Sequence, residues 1–177
     1  MPLASGTVVG YTASAGPTSK PAPAGAPASS PSGSGAAVTD PLVADMIRLF
    51  TTDPLQKRPK RNQNSILMKV AQDRANYCRD NNLVEHRDLA GHYVNYYIRL
   101  AGYKLPSWYG GDDNNCESLA AGYQTAAEAW AGWLAHPPHR IHVIGEDKFW
   151  ADQVDFGIGH AVGGPFGHYW AIVTART

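Results

Sequence analysis

The sequence has no long apolar run: no stretch reaches the ~18 residues that a membrane-spanning helix needs. It has no excess of either charge, since 15 Lys and Arg balance 15 Asp and Glu. A chain without a basic field does not draw phosphate backbones, which argues against nucleic-acid binding. Cysteine is scarce. Cys78 and Cys116 allow one disulfide or two buried thiols and leave the redox compartment open. The opening MPLASGTVVGYTASAG has no basic residue before Lys20 and no continuous apolar core, so it lacks the marks of a signal peptide. That counts against simple secretion, or means that the natural start lies elsewhere. Gly-Xaa-Ser-Xaa-Gly and His-Glu-Xaa-Xaa-His are also missing, so neither a nucleophile elbow nor a helical zinc pair is encoded locally.

What is present divides in two. Residues 1–38 are dominated by Gly, Pro, Ala, Ser and Thr, as in GPTSKPAPAGAPASSPSGSG. Such a segment buries too little apolar surface to offset its ordering entropy, and it reads as a low-complexity, flexible or extended arm. Residues 39–177 suffice for one core that buries about two-thirds of the unfolded chain's surface. A helix is predicted from Asp40, with Pro41 at its first position and Asp53-Pro54 as its stop. Leu42, Val43, Met46, Ile47 and Phe50 share one of its faces. The run QKRPKRN, with Lys57, Arg58, Lys60 and Arg61, reads as a solvated connector rather than a phosphate or headgroup patch. The next helix is predicted over 65–79, with Ile66, Val70 and Tyr77 facing the core and Leu67, Ala71, Ala75 and Cys78 on its flank. His86 follows in the polar LVEHRD. A third helix is predicted over 92–101, with Val94, Tyr97, Ile98 and Ala101 inward, before Gly102 and the loop LPSWYGGDDNN.

The richest stretch is CESLAAGYQTAAEAWAGWLAHPPHR, Cys116–Arg140. Glu117 opens it among small residues. Thr125 is placed to cap a helix, with Glu128 three residues on as its capping-box partner. Trp130, Trp133 and Leu134 then form an apolar stripe. Pro137-Pro138 stops that helix, so His136 and His139 are not expected as a helical pair, and His136 reads as an exposed turn residue. HVIGEDKFW reads as a loop or a short helical turn. QVDFGIGHAV alternates Val154, Phe156 and Ile158 against Asp155, Gly157 and Gly159, the pattern of a half-buried strand. GHYWAIVTAR is a second strand, with His168, Trp170 and Ile172 opposite Tyr169, Ala171 and Val173, and the two form an antiparallel hairpin. His142 and His160 read as surface or strand-edge residues, and Trp130, Trp133 and Trp170 as core aromatics. Helices ahead of a small terminal sheet indicate an α+β fold.

Residues from about 62 to 175 resemble the CAP superfamily, or SCP-like domain, and its bacterial branch in particular. AQDRANYC is similar to that family's first helix, His86 to the histidine after it, and GHYVNYYIRLAGY to its second helix. ESLAAGYQTAAEAWAGWLAHPPHR resembles its glutamate segment, alanine-rich helix and His-Arg motif. FGIGHAV and GHYWAIV are similar to its last two strands. The resemblance implies a three-layer α-β-α sandwich around a small antiparallel sheet, placed extracellularly or at the cell surface. It also implies a cleft of two histidines and two acids that holds a divalent cation in some members. Carried over, His86 and Glu117 match the first histidine and acid. His168 matches the second histidine of the animal and plant branch, and His139 the bacterial His-Arg histidine. Glu128 is the counterpart of an acid earlier in the bacterial helix, although the capping box explains it without chemistry. Glu117 stands in Glu-Ser where the family commonly has Glu-Asn. Cys116 stands beside Glu117, and Cys78 lies on the helix before His86, where a bridge would staple the cleft wall.

His86, His139, His168 and Glu117 suit a first-row metal such as zinc, and magnesium is the other cation considered. They come from separate elements, so no local spacing supports a metal. The bland alternative is a polar cleft in which His86 pairs with Glu117 and orients loops. Arg140 is suited to a bidentate carboxylate pair within the fold, and Cys116 has no nucleophile signature. The leading expectation is a non-enzymatic binding module whose cleft takes a divalent ion, a lipid or an extended protein segment. One alternative is a metal-assisted peptide hydrolase with Glu117 as base on a metal-bound water. Another is a structural domain anchored through its arm in a larger assembly, such as a virion or surface layer.

Overall fold

The computed structural model describes residues 7–8 and 40–177. Along these, strand β1 is Thr7–Val8, helix α1 is Pro41–Thr52, strand β2 is Asn62–Gln63, and helix α2 is Ser65–Asn81. Helix α3 is Val94–Leu100, strand β3 is Glu117–Ala121, and helices α4 and α5 are Ala126–Ala135 and Pro137–Ile144. A short helix α6, Lys148–Ala151, precedes strands β4, Asp155–Gly163, and β5, Gly167–Ala175. The strands lie side by side in the order β1-β3-β5-β4-β2. All pairs are antiparallel except the short parallel edge of β2 on β4. The reading of residues 1–38 as a flexible arm falls outside the described residues, apart from Thr7–Val8, which pair with Ala121 and Ala120 of β3.

Local chemistry accounts for the helix ends. Asp40 caps α1 by accepting from the Leu42 N–H at 2.8 Å, ahead of Pro41. Asn64 caps α2, whose C-terminal side turns through Asn82 in the left-handed region. Thr125 and Glu128 complete the expected capping box on α4. The double proline does end α4, but it also begins α5. Its two rings occupy the first turn, where no intrahelical N–H is needed. His136 is therefore the half-buried residue between two helices rather than an exposed turn residue.

The sheet is covered on both faces. On one lie α2 and α3, where Leu67, Val70, Ala71, Val94 and Ile98 pack with Tyr169, Ala171 and Val173. On the other, Val43, Met46 and Phe50 of α1 and Trp130 and Trp133 of α4 pack with Phe156, Ile158, Trp170 and Ile172. This is the α-β-α sandwich, with the β5 faces as the alternation predicts. The three core tryptophans are buried.

Several expectations need correction. The buried face of α2 is centred on Leu67, Ala71, Arg74, Ala75 and Cys78, so the expected flank is the centre, and Ile66 and Tyr77 sit at its margin. In α3, Asn95 is buried and Ala101 exposed. Strand β4 is not half-buried, because α2 lies directly on its glycine face. A Cβ on Gly157 would fall 2.1 Å from the Leu67 carbonyl carbon, and one on Gly159 2.2 Å from the Ala71 carbonyl oxygen. The glycines thus admit a helix backbone, not solvent. Arg58 is not in a solvated connector either. It is buried, and it donates to the Val143 carbonyl at 2.9 Å and the His142 carbonyl at 2.6 Å. These are terminal acceptors of α5, where a cation meets the negative end of the helix dipole. Cys78 and Cys116 are two free, buried thiols rather than a bridge.

Gly157→Ala should lower stability by several kcal/mol, at the upper end of overpacking costs, because backbone rather than a flexible side chain must yield. Gly111→Ala, where nothing lies within 4 Å, is the control. Urea unfolding that ranks the two variants equally would contradict the close helix-on-strand contact.

Candidate functional site

Glu117 begins β3 and is paired in register with Val173. Opposed residues share a face, and successive residues alternate, so its side chain lies on the α2 side of the sheet. There Arg74 meets it. The Arg74 Nε donates to Glu117 Oε1 at 2.7 Å, and a terminal guanidinium nitrogen donates to Oε2 at 3.2 Å. His86 Nδ1 approaches the same Oε2 at 3.1 Å. An ionised carboxylate only accepts, so that nitrogen carries the proton. The Arg74 and Glu117 side chains are 4% and 0% exposed. Burial alone would raise the Glu117 pKa, but the Arg74 charge and the His86 hydrogen bond bring it below the ordinary 4.5.

Helix α5 supplies the next part. The His139 ring lies 6.2 Å from that of His86, centroid to centroid, and its Nδ1 is 3.0 Å from His136 Nδ1. One of these two nitrogens donates to the other. Contrary to the expectation drawn from the prolines, the two histidines are brought together, by the first turn of α5. Burial first, then the charges of His86 and His136, pushes the His139 pKa down to about 3. Three residues on, His142 is buried rather than on the surface. Its Nδ1 is 2.7 Å from Ser118 Oγ and its Nε2 is 2.7 Å from Thr174 Oγ1. Ser118 and His142 are 1% and 2% exposed, and a threonine hydroxyl stands where a triad would need an acid. This closed pair has no access to a substrate.

His168 does not join Glu117. It shares its face with Trp170 and Ile172, on the α1 and α4 side, and lies five residues before Val173. The sheet itself and ~17 Å along the strand separate the two side chains. His168 instead ends a second polar chain. Asp40 Oδ2 accepts from His160 Nδ1 at 2.7 Å, and His160 Nε2 lies 3.0 Å from His168 Nδ1, one of these two nitrogens donating to the other. His160 is thus buried rather than on the surface, and at this point β4 is the edge of the sheet, its outward main chain bonded by the Gln72 side chain. Burial and then the His160 charge lower the His168 pKa, against Asp40 and Glu128, which raise it. Glu128 stays with its cap, accepting from the Thr125 N–H at 3.0 Å. Arg140 pairs with Glu146 at 2.7 Å on the surface.

The polar cluster that forms is therefore Arg74, Glu117, His86, His139 and His136, most of it buried. Arg74 is a member that the sequence reading does not name, although it interrupts the apolar positions 67, 70, 71, 75 and 78 of α2. A cation placed on a buried stripe is itself a signal for a buried acid. The arrangement does not fit the divalent centre that the resemblance implies. Both Glu117 oxygens are engaged within the chain, and His168 is on the other face. Among the described residues, no group of three or more His, Cys, Asp or Glu is arranged to hold a metal ion.

An α-β-α sandwich with a buried histidine–glutamate cluster at the start of β3 defines the class of domain. The chain belongs to the CAP family, the cysteine-rich secretory protein family, whose model matches residues 55–174. No curated protein matches the chain. Two solved structures share its fold. One is an outer surface protein from Borrelia burgdorferi, at 18% identity and a TM-score of 0.55, over 76% of this chain and 89% of that one. The other is an extracellular protein containing an SCP domain from Bacillus anthracis str. Ames, at 17% identity and a TM-score of 0.55, over 77% of this chain and 41% of that one. Among the described residues, no helix is long and apolar enough to cross a membrane.

The buried histidines give the fold a defined acid response. An unfolded histidine takes up a proton near its ordinary 6.5, whereas folded His139 resists until about 3 and His142 also titrates well below 6.5. Stability is then complete above 6.5 and is lost progressively as pH falls below it. Glu117 adds a later loss, since its stabilisation is present above 4.5 and disappears as pH falls through its depressed folded value. Urea midpoints should fall between about pH 7 and pH 5, and fall less steeply in His139→Gln. Midpoints that stay constant over that range would contradict the burial of these rings.

Proposed function

We propose that this domain is a non-enzymatic, extracellular binding module that engages an extended protein segment at the cleft formed around Glu117. One observation carries the reading: the Glu117 carboxylate is fully engaged by Arg74 and His86 and is held below the ordinary pKa. A general base must be able to take a proton from water near neutral pH. A buried carboxylate stabilised as an anion by a guanidinium is poorly suited to that, so the hydrolase alternative loses its base. The Ser118–His142 pair offers no replacement, being sealed in the interior.

The choice of an extended segment rests on β3. Its far end already accepts an extended piece of chain, since Thr7 and Val8 pair with Ala121 and Ala120. Its other end carries Glu117 into the cleft. At that end the Glu117 N–H already donates to Asn114 Oδ1 and the Leu119 carbonyl already accepts from Trp133 Nε1, so adjacent side chains rather than further main-chain pairing would select the segment there. His86, whose side chain is 11% exposed, would supply that selectivity. The family's secretory character, and the likeness in fold to an outer surface protein and an extracellular protein, support a place outside the cell.

The test has two arms. Full-length protein is incubated with denatured casein and a pooled peptide library, with and without Zn²⁺, and products are read by mass spectrometry. No cleavage above buffer is expected, and cleavage that disappears in Glu117→Gln would overturn the reading. A random-peptide display against the same protein should enrich sequences that bind at least about tenfold more weakly to His86→Ala, a loss of about 1.4 kcal/mol. Equal binding to wild type and variant would remove the cleft from recognition.

A further inference from the structure

Arg74 makes more contacts than an ion pair with Glu117 requires. Its Nε and one terminal nitrogen grip the two oxygens of Glu117, at 2.7 and 3.2 Å. The same terminal nitrogen donates to the carbonyls of Glu85, at 3.0 Å, and His86, at 3.2 Å. The guanidinium carbon lies 5.5 Å from the Tyr77 ring centroid, so its face is packed as well. A single cation therefore joins the acid on β3 to the backbone that carries His86. Joining those groups is what a bound divalent ion would do in a cleft of this composition.

We infer that the Arg74 guanidinium occupies the place of the divalent ion in this cleft, so that the domain carries its own resident cation. The inference deepens the binding-module reading, and rests on it only for the location of the cleft. Charge balance supports it. The side chains of Arg74 and Glu117 are 4% and 0% exposed, and together they are neutral. A divalent ion brought to Glu117 would meet a fixed like charge in a poorly screened interior, and the carboxylate has no unengaged oxygen to offer. The fork geometry matters too. Lysine is a point charge on a flexible stem, and would not hold both carboxylate oxygens and two carbonyls in the same way.

The consequence is a departure from what family resemblance implies, with a gain-of-function test. Tag-free, full-length protein is titrated with Zn²⁺ and, separately, Mg²⁺, by calorimetry and by thermal unfolding. Wild type should show no binding that depends on Glu117. Arg74→Ala removes the resident cation and should gain a Zn²⁺-dependent rise in Tm of about 5 °C or more at saturating metal, abolished by adding Glu117→Gln. Should Arg74→Ala be unfolded alone, refolding by Zn²⁺ in a Glu117-dependent manner is the same gain, and no recovery counts against the inference. Arg74→Lys keeps the charge and should gain no zinc site. Wild-type zinc binding that is lost in Glu117→Gln would overturn the inference. So would a folded Arg74→Ala protein that ignores the metal. Neither result depends on the peptide assays, so failure here and failure of the binding reading are separable.

Discussion

The fold turns on a single buried ion pair. Arg74 and Glu117 have both been taken out of water, which costs several kcal/mol for each ion unless geometry and further hydrogen bonds offset it. Here they do. The pair is bidentate, the carboxylate also receives His86, and the guanidinium also binds two carbonyls. Among the described residues, no buried side-chain nitrogen or oxygen is left without a partner. Because its two members come from α2 and β3 and its further partners, Glu85 and His86, from the segment after α2, the pair fixes three separate pieces of chain at once. A site built on such a brace is rigid and electrically closed. That suits recognition by shape and hydrogen bonding better than it suits chemistry that must move protons.

The sheet divides the polar residues into two sets with no shared access. Glu117 and His168 differ in parity along their strands, so one faces α2 and the other faces α1 and α4. The second set is Asp40, His160 and His168, in which the acid fixes the proton on the nitrogen that faces it. Asp40 accepts, so His160 Nδ1 donates, and His160 Nε2 shares a hydrogen bond with His168 Nδ1. Its evident role is to tie the N-terminus of α1 to β4, since the same aspartate caps that helix. The resemblance of His168 to a cleft histidine is one of local sequence only.

Much of the architecture is legible in the chain. Asp40-Pro41, Thr125 with Glu128, and the hairpin of β4 and β5 carry their meaning within a few residues, and each forms as expected, although β4 is buried on both faces rather than one. The pairing of His86 with Glu117 is also in view, as the bland alternative to a metal. What escapes depends on long-range packing. Nothing local reveals that Gly157 and Gly159 admit α2, or that Arg58 reaches the end of α5. Glu117–Ala121 does not announce itself as a strand, because a run of Ser, Leu and Ala has little strand character until both faces are covered. The Pro-Pro pair reads as a stop, yet the information for a start is there too, since proline is favoured in the first turn of a helix. Arg74 sits within a family-like helix, and only its place on the apolar stripe hints that an acid is buried against it.

The most direct measurement is a double-mutant cycle on the brace itself, with Arg74→Met, Glu117→Leu and the pair combined, read as unfolding free energies at neutral pH. Each single change strands a buried charge and should cost on the order of 3–5 kcal/mol, while the combined variant, an apolar pair in a packed site, should recover most of that loss. Single variants close to wild type, or losses that simply add in the combined protein, would mean that the two groups do not depend on one another, and that the cleft is held together by something else.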